Sequence, residues 1–90
     1  MLKVRYSAKF KKDYKTIVKR GYDVRLMEEV IQLLLEEKPL SPKYRDHVLI
    51  GDYAGQRECH ITPDWLLIYK VEKEILYLSL TRTGTHSDLY

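Results

Sequence analysis

The sequence has few of the features that cross-link a chain or anchor it in a membrane. It contains one cysteine, Cys59, which excludes an internal disulfide and a multi-cysteine zinc cluster. No apolar run approaches the roughly 18 residues that a membrane span needs, and the N-terminal residues contain no apolar signal region. We therefore expect neither an exported protein nor a membrane-spanning one, and a cytoplasmic location fits.

Length and composition predict one small folded unit. The chain has 90 residues, of which 44% are hydrophobic and 32% are charged, a balance typical of a globular protein and too apolar for a disordered one. We expect residues 1–90 to form a single domain. A domain this small buries only about 60 to 65% of the surface that its unfolded chain exposes, so a partner protein could cover part of the remainder.

The net charge of +3 hides an uneven distribution along the chain. Residues 1–20 carry eight basic side chains and one acidic side chain, Asp13, which gives +7 there and leaves −4 for the rest. A basic stripe of this kind attracts a phosphate backbone, although many helices are basic only because they face solvent. Charge alone therefore leaves both interpretations open.

Hydrophobic periodicity predicts an α+β fold. The alternation in residues 2–6 indicates a short strand, and two amphipathic helices follow. Ser7 and Asp23 are suited to cap their N-termini, and the helices should end near Gly21 and before Pro39. Four further strands are predicted at residues 48–50, 54–60, 65–71 and 75–81. Short polar links join them, so we expect a strand and a two-helix hairpin packed on a twisted, mostly antiparallel sheet.

All three histidines, His47, His60 and His86, lie in the second half of the chain. For any single histidine, a structural hydrogen bond or a surface position is the commoner role. His60, however, should share a strand face with Glu58, while Cys59 faces the other way. An acid and an imidazole side by side on a sheet face can tune each other's pKa, although a purely structural cross-strand pair has the same pattern.

Two other chemistries fit the sequence poorly. A zinc site built from the histidines and Cys59 lacks any ligand pair at helical or knuckle spacing. Thiol catalysis by Cys59 lacks an evident base. Several imidazoles, carboxylates and Arg82 suit RNA cleavage instead. In that reaction the 2′-hydroxyl attacks the phosphate, one group takes its proton, a second protonates the leaving 5′-oxygen, and no cofactor is needed.

Four strings, in order along the chain, carry a family resemblance. They are YRDH at residues 44–47, RECH at 57–60, PDWLLIYK at 63–70 and RTGTH at 82–86. With the length and the order of predicted elements, they make the chain similar to the YafQ branch of the RelE/ParE superfamily, toxins of type II toxin–antitoxin modules. The resemblance implies a RelE-like microbial RNase fold. It also implies ribosome-dependent, metal-independent cleavage of mRNA that blocks translation.

The resemblance also implies roles for particular residues. The implied catalytic positions are His47, His60, Asp64, His86 and the phosphate-binding Arg82. Trp65 and Tyr90 match positions that hold the RNA, and Tyr90 departs from the phenylalanine that the family often has there, though either ring can stack on a base. Against ribosomal RNA we expect the lysines of the first helix: Lys9, Lys11, Lys12, Lys15 and Lys19.

The partners implied by the resemblance are a ribosome carrying mRNA and a cognate antitoxin. The antitoxin should be acidic, should neutralise the toxin, and is expected in a heterotetramer of two toxins and two antitoxins. Operator DNA should be bound only by that complex, and no membrane is involved. Two alternatives stay open. One is a ParE-like toxin that inhibits DNA gyrase by binding, although a pure binder needs no imidazoles; the other is a non-catalytic nucleic-acid- or partner-binding module.

The position of Arg82 conflicts with simple alternation along the last predicted strand. Leu76, Leu78 and Leu80 share one face of the last predicted strand, and strict alternation would place Arg82 on that buried face as well. An unpaired buried arginine is costly. Either the strand ends or a bulge intervenes before Arg82, or the functional face lies elsewhere.

Overall fold

The protein is a five-stranded sheet with three helices. The computed structural model describes residues 1–90. The strands are β1 (Lys3–Tyr6), β2 (His47–Val48), β3 (Arg57–Thr62), β4 (Trp65–Glu72) and β5 (Tyr77–Gly84). The helices are α1 (Ala8–Lys19), α2 (Val24–Leu35) and α3 (His86–Leu89). None of these helices is long and apolar enough to cross a membrane.

The sheet order is β1-β5-β4-β3-β2, with β1 parallel to β5 and every other pair antiparallel. Strands β3, β4 and β5 form a meander joined by tight turns. The first strand inserts beside the last one, after which α1 and α2 return across one face. This confirms the predicted α+β architecture.

Local capping chemistry explains where the two long helices begin and where the first one ends. The Ser7 hydroxyl accepts a hydrogen bond from the Phe10 N–H at 2.9 Å, and the Asp23 carboxylate accepts one from the Arg25 N–H at 3.1 Å. After α1 the chain turns through Gly21, whose φ of +79° is a left-handed conformation that glycine adopts without strain. The capping residues predicted from the sequence are confirmed.

The main core lies between the helices and one face of the sheet. From the helices it takes Phe10, Ile17, Met27, Val30 and Leu34; from β3, β4 and β5 it takes Cys59, Ile61, Trp65, Leu67, Tyr69, Leu78 and Leu80. The opposite face carries only a small apolar cluster, Leu66, Ile68 and Leu89, with Leu49 and Tyr53 at its edge. Polar groups on that second face therefore remain within reach of solvent.

Several predicted boundaries were wrong. Strand β3 begins at Arg57 and not at residue 54, because residues Gly51–Tyr53 form a 3-10 turn and Ala54 and Gly55 complete the loop. Strand β5 begins at Tyr77, since Ile75 and Leu76 lie exposed in the preceding turn and Leu76 has a φ of +58°.

Two features of the helices were also not anticipated. Helix α3 was missed because four residues are too few to show a period. In α1, Val18 belongs to the apolar pattern but is half exposed, so that helix buries only Phe10 and Ile17.

Candidate active site

One row of cross-strand neighbours spans four strands on the face opposite the long helices. His47 of β2 pairs with Glu58 of β3, Glu58 with Ile68 of β4, and Ile68 with Arg82 of β5. Neighbouring strands lie about 4.8 Å apart, so the backbones at Glu58 and Arg82 are separated by about 10 Å. Residues far apart in the sequence thus meet on one surface.

A β-bulge decides which face Arg82 occupies. Leu80 pairs with Tyr69 and Arg82 pairs with Ile68, which leaves Thr81 as an extra residue in β5. The bulge shifts the alternation by one position, so Arg82 emerges on the face opposite Leu80. Of the possibilities considered from the sequence, the bulge is the correct one.

Glu58 is the centre of the site. Its side chain is almost fully buried, with a relative exposure of 4%, and Oε2 accepts a hydrogen bond from the Tyr90 hydroxyl at 2.6 Å. Its other oxygen, Oε1, lies 3.4 Å from His47 Nε2 and 4.0 Å from His60 Nε2. Burial and the neighbouring Glu58 carboxylate raise the pKa of Tyr90 above its usual range. The predicted site residues omitted Glu58, although alternation had already placed it beside His60.

Backbone carbonyls orient two of the imidazoles. His47 Nδ1 lies 2.8 Å from the carbonyl oxygen of Arg45, and His60 Nδ1 lies 3.3 Å from that of Pro63. A carbonyl oxygen only accepts hydrogen bonds, so each Nδ1 carries a proton and donates it. The Nε2 atom of each ring, which faces Glu58, is left as the atom that can gain or lose a proton.

His86 reaches the same surface from α3. Its ring centroid lies 6.5 Å from that of His60 and 5.4 Å from that of Tyr90. A capping box fixes this short helix, because the Thr85 side chain and the Asp88 carboxylate each accept a hydrogen bond from the other residue's N–H. Gly84 allows the backbone before α3 to come close to Asp88. At the φ of +153° that Gly84 adopts, a Cβ atom would lie 2.8 Å from Asp88 Oδ2.

Arg82 lies at the other end of the row and is held by a carboxylate from α1. Its Nε and Nη2 atoms donate to the two oxygens of Asp13 at 2.7 and 3.1 Å, and Nη1 lies 3.4 Å from the Tyr53 hydroxyl oxygen. The hydrogen bonds to Asp13 raise the pKa of Arg82 further above its usual range, so this guanidinium is a permanent cation. Neither Asp13 nor Tyr53 is among the site residues predicted from the sequence.

Two of the predicted residues lie away from this group. Trp65 is 2% exposed in the main core, where its indole N–H donates to the Thr83 hydroxyl at 2.8 Å. Its ring faces α1 and α2, so we correct its expected role: it packs the core and cannot stack on RNA in this position. Asp64 is exposed in the turn between β3 and β4, beyond His60, and takes part in none of the contacts described above.

The lysines of α1 divide between two flanks. Lys9 lies one helical turn before Asp13, and Lys12 lies one turn before Thr16, so both lie toward the Arg82 side. Lys11 and Lys15 line a groove between α1 and α2 instead. All four side chains are exposed. The structure therefore brings Lys9 and Lys12 toward the site and leaves Lys15 on another surface.

The site offers proton-transfer groups but no preformed metal cage. No cluster of three or more histidine, cysteine, aspartate or glutamate side chains is arranged to hold a metal ion. Cys59 lies on the opposite face of β3, where burial raises the pKa of its thiol to about 12. A thiol in that state is neither a nucleophile nor a ready ligand at neutral pH.

Known proteins resemble this chain in sequence and architecture over nearly all of their length. The family model described as "Bacterial toxin of type II toxin-antitoxin system, YafQ" matches residues 2–90. The mRNA interferase toxin YafQ of Escherichia coli K12 is 39% identical over 88 residues, covering 97% of this chain and 94% of the relative. The structure of a metal-bound toxin from Helicobacter pylori superimposes with a TM-score of 0.94 at 47% identity, covering 100% of both chains. YafQ in the E. coli DinJ-YafQ complex gives a TM-score of 0.90 at 37% identity, covering 100% of this chain and 99% of the other.

The fold, a short parallel strand and a two-helix hairpin on an antiparallel meander, is that of small bacterial toxins solved from E. coli and H. pylori. Within that class, the match over residues 2–90 and the close relatives place the chain more narrowly. The chain belongs to the YafQ family of bacterial toxins of type II toxin–antitoxin systems.

Proposed function

We propose that this chain is a ribosome-dependent endoribonuclease that cleaves mRNA, blocks translation and is neutralised by a cognate antitoxin. One observation carries the proposal: two imidazoles face a buried carboxylate on the solvent-facing side of the sheet, a third lies beside them, and a permanent cation lies about 10 Å away across the strands. The name of the E. coli relative, an mRNA interferase, supports an endoribonuclease. Its place of action would be the cytoplasm, where ribosomes are found.

The geometry suits cleavage in which the RNA supplies the nucleophile. One imidazole takes the proton of the 2′-hydroxyl, the 2′-oxygen attacks phosphorus, and a second imidazole gives a proton to the leaving 5′-oxygen. The two roles are filled from His47, His60 and His86. Arg82 binds the scissile phosphate and stabilises the added negative charge of the phosphorane. No step requires a cofactor.

Glu58 supports these proton transfers electrostatically. When the Nε2 atom of His47 or His60 gains a proton, the resulting imidazolium faces a carboxylate at 3.4 or 4.0 Å. The buried position of Glu58 keeps this attraction from being fully screened by water. Asp64, at the rim beyond His60, contributes local charge where the RNA enters.

The RNA is held from two sides. Tyr90 is 60% exposed, so one face of its ring remains open to a base even while its hydroxyl is bonded to Glu58. Lys9 and Lys12 approach from α1 and give affinity for the phosphate backbone without sequence choice. Lys15, on the other flank of the helix, is free to contact ribosomal RNA or the antitoxin.

The groove between α1 and α2 fits the antitoxin. Its walls are apolar, Tyr6, Phe10, Tyr14, Met27 and Ile31, and Lys11 and Lys15 line it beside Glu28. An acidic amphipathic segment complements such a surface. The E. coli relative has been solved in complex with the antitoxin DinJ. We infer an acidic cognate antitoxin here too, in a complex of two toxins and two antitoxins that alone binds operator DNA.

Cleavage on programmed ribosomes tests the proposed function. The purified chain should cut ribosome-bound mRNA and leave free mRNA intact, with and without a chelator that binds transition metals but leaves the Mg²⁺ of the ribosome in place. The H. pylori relative solved with metal makes this comparison necessary. His86→Ala should lose most cleavage while remaining folded. Ser87→Ala, at the next exposed position of α3, controls for local disruption.

Two outcomes would contradict the proposal. Intact mRNA together with inhibition of DNA supercoiling by gyrase would instead support the alternative of a ParE-like toxin that inhibits gyrase by binding. Undiminished cleavage by His86→Ala would remove that residue from the mechanism.

A further inference from the structure

The ion pair between Asp13 and Arg82 differs from the other arginine and lysine ion pairs of the protein. Its two side chains are only 14% and 18% exposed, whereas each of the others includes a basic side chain that is at least 40% exposed. Asp13 is also fully engaged, because its Oδ2 accepts a second hydrogen bond, from the Thr83 N–H at 3.1 Å. A largely buried pair is weak evidence for stability, because its desolvation cost offsets much of the attraction. A role in positioning explains it better.

The pair leaves one end of the guanidinium unoccupied. Arginine has five N–H donors in a planar fork. Asp13 engages Nε and one Nη2 hydrogen along one edge, and one Nη1 hydrogen points toward the Tyr53 hydroxyl. Two hydrogens remain, one on each Nη atom, and two oxygens of a phosphate can accept from them.

We propose that Asp13 is a positioning residue, whose carboxylate fixes the plane of the Arg82 guanidinium so that its free end meets the scissile phosphate. This rests on the proposed function, in which Arg82 binds that phosphate. Asp13 is the one acidic residue in the first twenty, and it lies on α1 directly after Lys12 and one helical turn after Lys9. The same carboxylate therefore fixes the basic helix to the active site.

A double-mutant cycle on programmed ribosomes tests this coupling. Asp13→Asn keeps the shape of the side chain but loses the charge and one acceptor oxygen. It should lower kcat by about 100-fold, because a displacement of about 1 Å at the reacting group has that effect, and it should leave KM unchanged. In an Arg82→Ala background the same change should cost nothing further, because Asp13 acts only through Arg82.

Glu72→Gln is the matched control. That carboxylate also contacts β5, accepting a hydrogen bond from Ser79 at 2.7 Å, but it lies at the far end of the strand. Its neutralisation should leave kcat as in the wild type. An equal loss from Asp13→Asn in both backgrounds would overturn the proposal, since Asp13 would then act on folding or on another group. A rise in kcat would also overturn it, since Asp13 would then be withholding Arg82 from the phosphate.

A measurement without cleavage separates failure of this inference from failure of the proposed function. In ¹⁵N spectra the Arg82 Nε–H should exchange slowly with water in the wild type and rapidly in Asp13→Asn. Inorganic phosphate should shift that resonance in the wild type more strongly than in the variant. An equal response in both proteins would refute the positioning role, whether or not the wild type cuts mRNA. Absence of cleavage with an intact phosphate response would reject only the ribonuclease proposal.

Discussion

Replacing Glu58 by glutamine isolates the electrostatic contribution of the buried carboxylate. Glutamine has nearly the same shape, and its side-chain oxygen can still accept the hydrogen bond from the Tyr90 hydroxyl that Glu58 receives at 2.6 Å. What disappears is the negative charge facing His47 and His60. If that charge stabilises the imidazolium formed during cleavage, the variant should fold normally and cleave slowly.

The expected loss follows from the distance. Opposite unit charges 3.4 Å apart, as at His47, attract by about 5 kcal/mol at an effective dielectric constant of ~20. The His47 side chain is about half exposed, so screening leaves roughly 1.4 to 2.8 kcal/mol. Since about 1.4 kcal/mol changes a rate tenfold, kcat should fall about 10- to 100-fold. The free energy of unfolding should change by less than about 1 kcal/mol, because the lost charge-assisted hydrogen bond is offset by relief of desolvation.

Single-turnover cleavage of ribosome-bound mRNA, together with urea unfolding of the same samples, measures both quantities. Tyr90→Phe is the matched control: it removes the hydroxyl, keeps the Glu58 charge and still presents an aromatic ring, so its loss of kcat should be smaller. Unchanged kcat in Glu58→Gln would refute the electrostatic argument. A fall in kcat that merely followed a loss of folded protein would refute it as well.

Two further predictions concern stability and accessibility. Arg20 and the N–H of Thr85 donate hydrogen bonds to Asp88 and hold the pKa of that carboxyl well below its ordinary value of 3.8. The resulting stabilisation is present above pH 3.8 and is lost as the pH falls below it. Asp88→Asn should therefore flatten the acid side of the curve of unfolding free energy against pH. An identical acid limb in both proteins would contradict this. Cys59, buried and with its thiol pKa raised to about 12, should resist iodoacetamide at pH 8 in the native protein and react after unfolding in urea; rapid native labelling, measured by mass spectrometry, would show that β3 opens.

Much of the fold follows from local signals in the sequence. The caps at Ser7 and Asp23, the helical periodicity and the short polar links predict the hairpin and the meander correctly. The start of β5 was wrong because Ile75 and Leu76 are apolar residues that favour strands. Tertiary structure instead places them in an exposed turn with a left-handed Leu76, and sequence periodicity does not distinguish these two outcomes.

The site was predictable to the extent that its residues share motifs and strand faces. The three histidines and Arg82 were found in this way, and alternation already paired Glu58 with His60. For Trp65 the two signals conflict: alternation places Trp65 on the same face of β4 as Leu67 and Tyr69, which argues against an RNA contact, whereas the resemblance implies one. Asp13 lies 69 residues from Arg82 in the sequence, so only tertiary structure reveals that pair.

The two faces of the sheet explain how so short a chain can hold both a core and a reactive surface. The helices cover one face, and that face supplies the apolar core. On the other face the small cluster of Leu66, Ile68 and Leu89 lies beside the buried Glu58, which pairs with Ile68 across the sheet. A larger apolar cluster would bury the imidazoles, and a smaller one would let water screen the charge of the carboxylate. Because the RNA supplies the nucleophile, one row of cross-strand neighbours and the start of α3 are sufficient for the chemistry.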